Sequence, residues 1–507
     1  MGRLLLTIAT LLVAASLYAQ EKRPPNIVLI LADDLGYGDL GCYGQKRIKT
    51  PNLDRLAAEG MRLTQHYSGS PVCAPSRCVL LTGKHPGHGV IRDNREIKPE
   101  GQQALPSSEL TLSKILKALG YAVGGFGKWG LGGPDSDGIP AKHGFDRFYG
   151  YLCQRIAHNY YPLHLWDNNK KISLENTYMK LPDKLPGKAD PKDADAYRGY
   201  VGKQYSGDLI FDQAREFVRQ NKERPFFLYV PTTIPHVALQ VPEDSLKPYL
   251  GRWEDPPYVG GKGYLPHRAP RAAYAAMISR LDQEVGKLMD LLKELGLEEN
   301  TIFIFTSDNG PLGDGYAGTD ANFFNSNGGL RGFKGSLYEG GFRVPCIVRW
   351  KGHVPQGLPL TRVTGFEDWM PTLLEMIGQA KAIPEKIDGV SFAPSLRGEM
   401  QKPRDFLYRE FPSYGGQQLI RLGDYVGIRQ NLIDKGKTPP NLHLELYNLG
   451  ADPQQKEDIS AKHPEMIAEM ERLLREQHTA STLFPFPAID PKKDDPNAGK
   501  KKVFDCD

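Results

Sequence analysis

Four apolar runs of strand length constrain this chain more than any other feature, because each leads into a charged or metal-liking side chain. Asn26-Ile-Val-Leu-Ile-Leu31 runs into Ala32-Asp33-Asp34, and Thr301-Ile-Phe-Ile-Phe-Thr306 into Ser307-Asp308-Asn309. The run from Arg224 to Val230 leads through Pro-Thr-Thr-Ile-Pro to His236, and Tyr121 to Phe126 leads through Gly127 to Lys128. A continuous apolar run bounded by turn residues suits a strand covered on both faces. Strands of this kind belong to a parallel sheet, whose functional groups gather at the carboxyl ends of its strands. The four endings are therefore expected at one edge of one sheet.

Helical patterns lie between the runs. Thr50 to Met61 reads as a helix with Thr50 as cap, Pro51 in the first turn, and Leu53 and Leu56 on one face. Leu110 to Leu119 reads as a second, stopped by Gly120. Tyr274 to Leu295, stopped by Gly296, keeps the helical period longest. Val344 to Trp350 is a fifth strand. The alternation predicts an α/β fold with a large mixed, mainly parallel central sheet flanked by helices. From about residue 403 the pattern changes to short strand-like pieces (Leu419 to Arg421, Tyr425 to Ile428, Leu444 to Leu449) and a helix, Met466 to Gln477. A smaller C-terminal α+β subdomain with an antiparallel sheet and a helix is expected there.

The first twenty residues, MGRLLLTIATLLVAASLYAQ, place Arg3 before a short apolar run and Ala19 before a cut site. They read as a secretory signal, too short to span a bilayer, and no later stretch is apolar for long enough to do so. An exported protein, periplasmic or secreted and without stable membrane insertion, is expected. The chain divides into 1–20 (signal), 22–400 (main domain), 403–487 (C-terminal subdomain) and 488–507 (polar tail). Residues 167–200, polar with several Pro and Lys, read as a surface insertion. With 64 basic and 60 acidic residues in 507, the charge is nearly balanced, and no long basic run precedes the tail. Nucleic acid is not an expected partner. Six cysteines at irregular spacing fit neither a disulfide framework nor a zinc pattern.

Asp33, Asp34, Asp308 and Asn309 form an all-oxygen set of the kind hard cations take, calcium above all. Asp and Asn also follow strands simply because they favour turns and caps. Lys128, Lys334 and Arg77 would add positive charge suited to a tetrahedral oxyanion. His236 at a strand end suits proton transfer to a leaving oxygen. Cys73, in Cys73-Ala-Pro-Ser-Arg77, stands near the start of a helix through Val79 to Leu81. Three readings of it stay open on residue chemistry alone: a partly buried thiol, a disulfide with Cys78, or a thiolate nucleophile.

The ordered motifs carry a resemblance. Cys73-Ala-Pro-Ser-Arg77 followed by Leu81-Thr82-Gly83 resembles the signature of the type I sulfatases, the formylglycine-dependent branch of the alkaline phosphatase superfamily. The segments ILADDLGYGDLGCYG (30–44), FGKWGLG (126–132), IPH (234–236), TSDNG (306–310), LRGFKGSLYEGGFRVP (330–345), DWMPTLLE (368–375) and LYNLGADPQQ (446–455) follow in the family's order. The resemblance spans Asn26 to about Asp458. It implies that a maturation enzyme converts Cys73 to formylglycine, whose hydrate attacks sulfur and later releases the sulfate. It implies calcium held by Asp33, Asp34, Asp308, Asn309 and residue 73. Arg77 would hold these in register, Lys128 and Lys334 would contact sulfate, and His236 would serve the bridging oxygen or act as general acid.

One position departs from the family. Two residues after the catalytic lysine the family usually has histidine, and here stands Gly130. His158, in YLCQRIAHNYYP (151–162), is the expected replacement, with His88 as a second choice. The GKWGLG variant together with that segment resembles sulfatases of bacterial polysaccharide use, several of which act on sulfated galactose or N-acetylgalactosamine. Substrate contacts in the family lie on loops, and Arg92, Asn94, Arg155 and His158 are the expected sugar contacts. The competing functions are a phosphodiester or phosphonate monoester hydrolase on the same scaffold, and a non-catalytic protein that binds sulfated glycans without turnover. A panel of sulfate and phosphate esters separates the first, and binding unaffected by Cys73→Ala would mark the second.

Overall fold

The computed structural model describes residues 23–177, 184–261, 263–433 and 441–490. The expected signal segment, the tail from 491 and Cys506 lie outside these residues. A ten-stranded sheet dominates. Its spatial order is Pro359–Leu360, Met61–Leu63, Cys346–Arg349, Thr301–Ser307, Asn26–Ala32, Phe226–Pro231, Ala122–Lys128, Arg147–Tyr151, His164–Asp167 and Lys170–Ser173. Asn26–Ala32 runs parallel to both Thr301–Ser307 and Phe226–Pro231, and Ala122–Lys128 runs parallel to Phe226–Pro231 and Arg147–Tyr151. Cys346–Arg349 is antiparallel to Thr301–Ser307, so the sheet is mixed.

The four strands read first in the sequence are neighbours at the centre of this sheet. They are apolar on both faces because both faces are covered. Val28, Ile30, Leu228, Phe303 and Phe305 pack toward helices Ser206–Gln220 and Pro270–Glu294. Ile27, Leu29, Leu31, Phe227 and Ile304 pack toward helices Cys73–Thr82 and Trp369–Met376.

The expected helices are present, two with trimmed ends as Pro51–Ala58 and Leu112–Ala118, and the third starting earlier than expected, as Pro270–Glu294. Thr50 does not cap the first. Its hydroxyl accepts from the Gly41 N–H at 2.8 Å and donates to Asp54 at 3.2 Å. Part of the polar stretch read as a surface insertion is instead structural, since Lys170–Ser173 forms the outermost strand of the sheet.

A four-stranded antiparallel sheet follows, in the order Leu407–Phe411, Gln417–Leu422, Tyr425–Arg429 and Glu445–Asn448. One face joins Tyr67, Leu337 and Phe342 of the main body through Leu407, Leu419, Val426 and Ile428. The other is covered by helix Pro464–Gln477 through Met470, Leu473 and Leu474. The first strand was not read from sequence. It carries Tyr408, Arg409 and Glu410, all buried, and its charged pair hides the alternation expected of a strand.

Candidate active site

The carboxyl ends of the four central strands deliver Asp308 and Asn309, Asp33 and Asp34, His236, and Lys128 in adjacent positions. Asp34 takes a left-handed backbone (φ 63°), which a short carboxylate side chain tolerates and which turns the chain sharply at the strand end. From the opposite face comes helix Cys73–Thr82, with Cys73 as its first residue. Its N-cap, Val72, offers no side-chain acceptor. Asn94 fills that role from another segment, its Oδ1 accepting from the Ala74 N–H at 3.0 Å. The helix therefore starts at the site, with its backbone dipole positive toward Cys73.

Arg77, one turn along, is fully buried and ties the parts together. Its Nε and Nη2 donate to Asp308 Oδ2 at 3.0 and 2.8 Å, and Nη2 also reaches Asp33 Oδ2 at 3.3 Å. Its Nη1 donates to the Lys128 carbonyl. Lys128 Nζ donates to Asp33 Oδ2 at 2.6 Å. Lys334, from a loop, donates to Asp34 Oδ1 at 2.7 Å and lies 3.5 Å from the Cys73 sulfur. The same sulfur is 3.3 Å from Asp33 Oδ1.

Three carboxylates thus face three cations in a buried cluster. Burial pushes Asp33 up, but Lys128, His236, Arg77 and Lys334 together hold it well below the usual carboxylate range. Asp34 and Asp308 go the other way. Burial, with the neighbouring Asp33, drives Asp308 up to about 6, and burial raises Asp34 against the pull of Lys334. Burial opposes the charges of Lys128 and Lys334, yet the facing carboxylates keep both above the ordinary lysine range.

Cys73 as a plain cysteine is inert here. Burial, then the Asp33 carboxylate, pushes its thiol up to about 12, so it stays protonated. This disfavours the thiolate reading. A bridge to Cys78 is also absent, both being free thiols.

His236 Nδ1 faces the Val237 carbonyl, so that nitrogen carries the hydrogen in the neutral ring. Nε2 is left as an acceptor 3.5 Å from Asp34 Oδ2. Burial, reinforced by Lys334 and Lys128, holds the ring well below its ordinary range and therefore neutral.

The oxygen set fits a hard cation on its own chemistry. Asn309 Oδ1 is buried without a hydrogen-bond partner, while its Nδ2 donates to Asp34 Oδ1 at 2.7 Å. Asp33, Asp34, Cys73 and His236 each offer a ligand atom, all within 4.8 Å of one another. An orphaned amide oxygen beside converging carboxylates is what a divalent ion bound by oxygens requires. With three acids against three bases, such an ion would leave the site positive and fit for an anion.

A cavity of about 630 Å³ opens above Cys73, lined among others by Lys128, Lys334, His158, Tyr264, Tyr316 and Tyr414. Asn94 and Arg155 also line it, with Arg155 Nε held by Glu96 at 2.6 Å. His158 stacks flat on His236, centroids 4.5 Å apart. Arg92 needs correction. It lies close to Cys73 in sequence but is buried, bound to Glu410 at 2.8 Å, to the Gly87 carbonyl at 3.0 Å and to Thr479, which leaves it no access to the cavity. His88 likewise is occupied elsewhere, pairing with Asp388 at 2.8 Å. Sequence reasoning missed Gln102, Gln154, Tyr264 and Tyr414. They come from separate loops, and only Gln154 falls in a segment that drew notice.

Comparison with known proteins agrees with this geometry. Residues 25–379 match the sulfatase family model, and residues 332–480 match the model for the C-terminal part of N-sulphoglucosamine sulphohydrolase. Human arylsulfatase A is 32% identical, the match covering 94% of this chain and 92% of that protein. The N-acetylgalactosamine-6-O-sulfatase of Bacteroides thetaiotaomicron is 30% identical, over 91% and 94%. The crystal structure of Ps i-CgsB superposes with a TM-score of 0.71 at 27% identity, covering 90% of this chain and 92% of that one. The strand-end carboxylates, the buried arginine and lysines, the cysteine at the helix start and these matches lead to one conclusion: the chain belongs to the sulfatase family and is a sulfuric ester hydrolase.

Proposed function

We propose that this enzyme hydrolyses a sulfate monoester on a sugar of the galactose or N-acetylgalactosamine type, after export and after maturation of Cys73 to formylglycine by a dedicated enzyme. The observation that carries the reading is Cys73, 3.3 Å from Asp33 and 3.5 Å from Lys334, at the floor of a cavity bordered by tyrosines. Aromatic faces suit the apolar faces of sugar rings, and a cavity of this size suits one or two of them. The relative from Bacteroides thetaiotaomicron, a named sugar sulfatase, supports the same substrate class.

Asp33, Asp34, Asp308 and Asn309 would hold calcium beside residue 73, where the ion supplies charge to polarise sulfate oxygens. Formylglycine, as its hydrate, supplies a nucleophilic oxygen that the buried thiol lacks. The chain's own residues do the rest. Lys128 and Lys334 donate to sulfate oxygens and fix the sulfur over residue 73. Lys334, protonated and the less enclosed of the two, meets the charge on the departing oxygen. His236, neutral with its acceptor nitrogen turned inward, accepts a hydrogen bond at Nε2 in the resting site and has no proton there to give. Arg77 stays locked to Asp308 and Asp33 and keeps the set in register. The region from Leu407 onward acts as a C-terminal subdomain that completes the cavity with Tyr414.

The test is sulfate release from 4- and 6-sulfated galactose and N-acetylgalactosamine, with matched phosphate esters as controls. Sulfate release from at least one sugar, and far slower phosphate release, is the expected outcome. Faster phosphate release would favour the phosphohydrolase alternative. Chelation of calcium should lower both turnover and melting temperature, because an ion bound only by the folded state stabilises it. An unchanged melting curve would count against the proposed ligand set.

A further inference from the structure

Two carboxamides on the wall of the Cys73 cavity each have a buried atom without a hydrogen-bond partner, Oε1 of Gln102 and Nε2 of Gln154. Each residue is only 5% exposed. Neither is loosely held. Gln102 forms an antiparallel bridge with Glu96, and its N–H donates to the Gly132 carbonyl at 3.1 Å. Gln154 sits between Leu152, whose carbonyl accepts from the Gly130 N–H at 3.3 Å, and the turn closed by Ala157 N–H to the Cys153 carbonyl at 3.2 Å. Gly130 leaves Gln154 its space. Its φ is 76°, and a Cβ there would lie 2.9 Å from Gln154 Nε2. The backbone thus fixes two neutral groups at the cavity and leaves them unsatisfied. Buried polar atoms without partners are costly, and one explanation for their retention is a ligand that supplies the partner.

The rest of the lining narrows that ligand. Lys128 and Lys334 are engaged by Asp33 and Asp34, and Arg155 by Glu96 at 2.6 Å. Asp314 adds a further acidic group to the lining. Away from the sulfate-binding floor the cavity offers carboxamides, tyrosines, His158, the mutually paired Arg155 and Glu96, and Asp314. A carboxamide donates and accepts at once, and so matches a sugar hydroxyl or an acetamido group. We infer that Gln102 and Gln154 bind hydroxyl or acetamido groups of the ring that carries the sulfate, and that the site selects a neutral sugar over one bearing a second sulfate or a carboxylate. The inference rests on the sugar-sulfate reading above.

The test compares Gln102→Leu and Gln154→Leu with wild type on two substrates, the best sugar monosulfate and 4-nitrophenyl sulfate. The second carries the same ester without ring hydroxyls. Each variant should lose about 10- to 100-fold in kcat/KM on the sugar and stay within a few-fold on the aryl ester. Melting temperatures monitor the fold. Should a leucine variant fail to fold, Gln→Asn at the same position, which retracts the carboxamide, should give the same split. Equal losses on both substrates, or none on the sugar, would overturn the assignment. Wild-type turnover of a disulfated sugar as fast as the monosulfate would overturn the selectivity. The two levels separate in the wild type. Hydrolysis of the aryl ester alone ends this inference and the sugar reading but leaves the sulfatase intact. No turnover of any sulfate ester by formylglycine-bearing protein ends both readings.

Discussion

At the scale of single residues, the site works because each charge has a fixed partner before substrate arrives. Lys334→Ala would remove a cation 3.5 Å from the Cys73 sulfur and leave Asp34 without its lysine ion-pair partner. A loss of roughly 10²- to 10³-fold in kcat is expected, typical for one preorganised donor to developing charge. Steady-state kinetics on the matured enzyme check it, and a variant within a few-fold of wild type would remove Lys334 from the leaving-group role. Asp33, Asp34, Lys128, His236, Asp308 and Asn309 were legible in the sequence because a buried parallel strand announces its own carboxyl end. Arg77 and Lys334 were named for their positive charge, but their particular roles needed the family resemblance, since a helix and a loop advertise no such position. Arg92 was misread as a sugar contact because nothing in its local sequence shows the distant partners that bury it. Its guanidinium runs to Glu410, 318 residues away.

At the scale of elements, the helix bearing Cys73 is buried along its whole length and borrows both its start and its surroundings from distant segments. Asn94 satisfies its first turn, and Gly83, left-handed at φ 69°, ends it. Sequence pattern finds helices by their polar and apolar faces, so a helix with no exposed face is legible only as a short apolar stretch. The first strand of the C-terminal sheet was illegible for a related reason. Arg409 is buried there and pairs with Glu367 of the main body at 2.8 Å, both side chains fully enclosed. Arg409→Ala would leave the buried Glu367 with Arg404 alone, at 3.2 Å, so it should destabilise by up to about 3–5 kcal/mol. Denaturant unfolding reads this directly, and a change under 1 kcal/mol would show the pair to be dispensable.

At the scale of the whole molecule, the last described residues fold back over the main domain. Thr479 bonds Gly87 and Arg92, and Arg95 donates to the Leu483 carbonyl at 3.1 Å. His478 anchors this return, between Glu410 at 2.7 Å and Asp490 at 3.1 Å. Burial and Arg92 lower the His478 pKa, but Glu410 and Asp490 outweigh them and raise it above the ordinary 6.5. A raised histidine adds stability that is complete below the unfolded value and fades as pH rises through the folded one. The melting temperature should therefore fall as pH rises from about 6 through the range above 6.5, and His478→Gln should flatten that slope. An equal slope in the variant would place the pH dependence elsewhere. This closure joins residues hundreds of positions apart, which is why composition and periodicity gave the two sheets but not how residues 478–490 meet the segment from Gly87 to Arg95.

On the proposed function Cys73 serves only as a precursor, because the thiol is buried, protonated and unfit to release a sulfate. The most direct measurement is the mass of the peptide carrying residue 73, taken from a preparation that hydrolyses sulfate esters. The prediction is formylglycine in the active fraction, with Cys73→Ala folded and inactive. An unmodified cysteine in protein that turns over sulfate esters at full rate would contradict it.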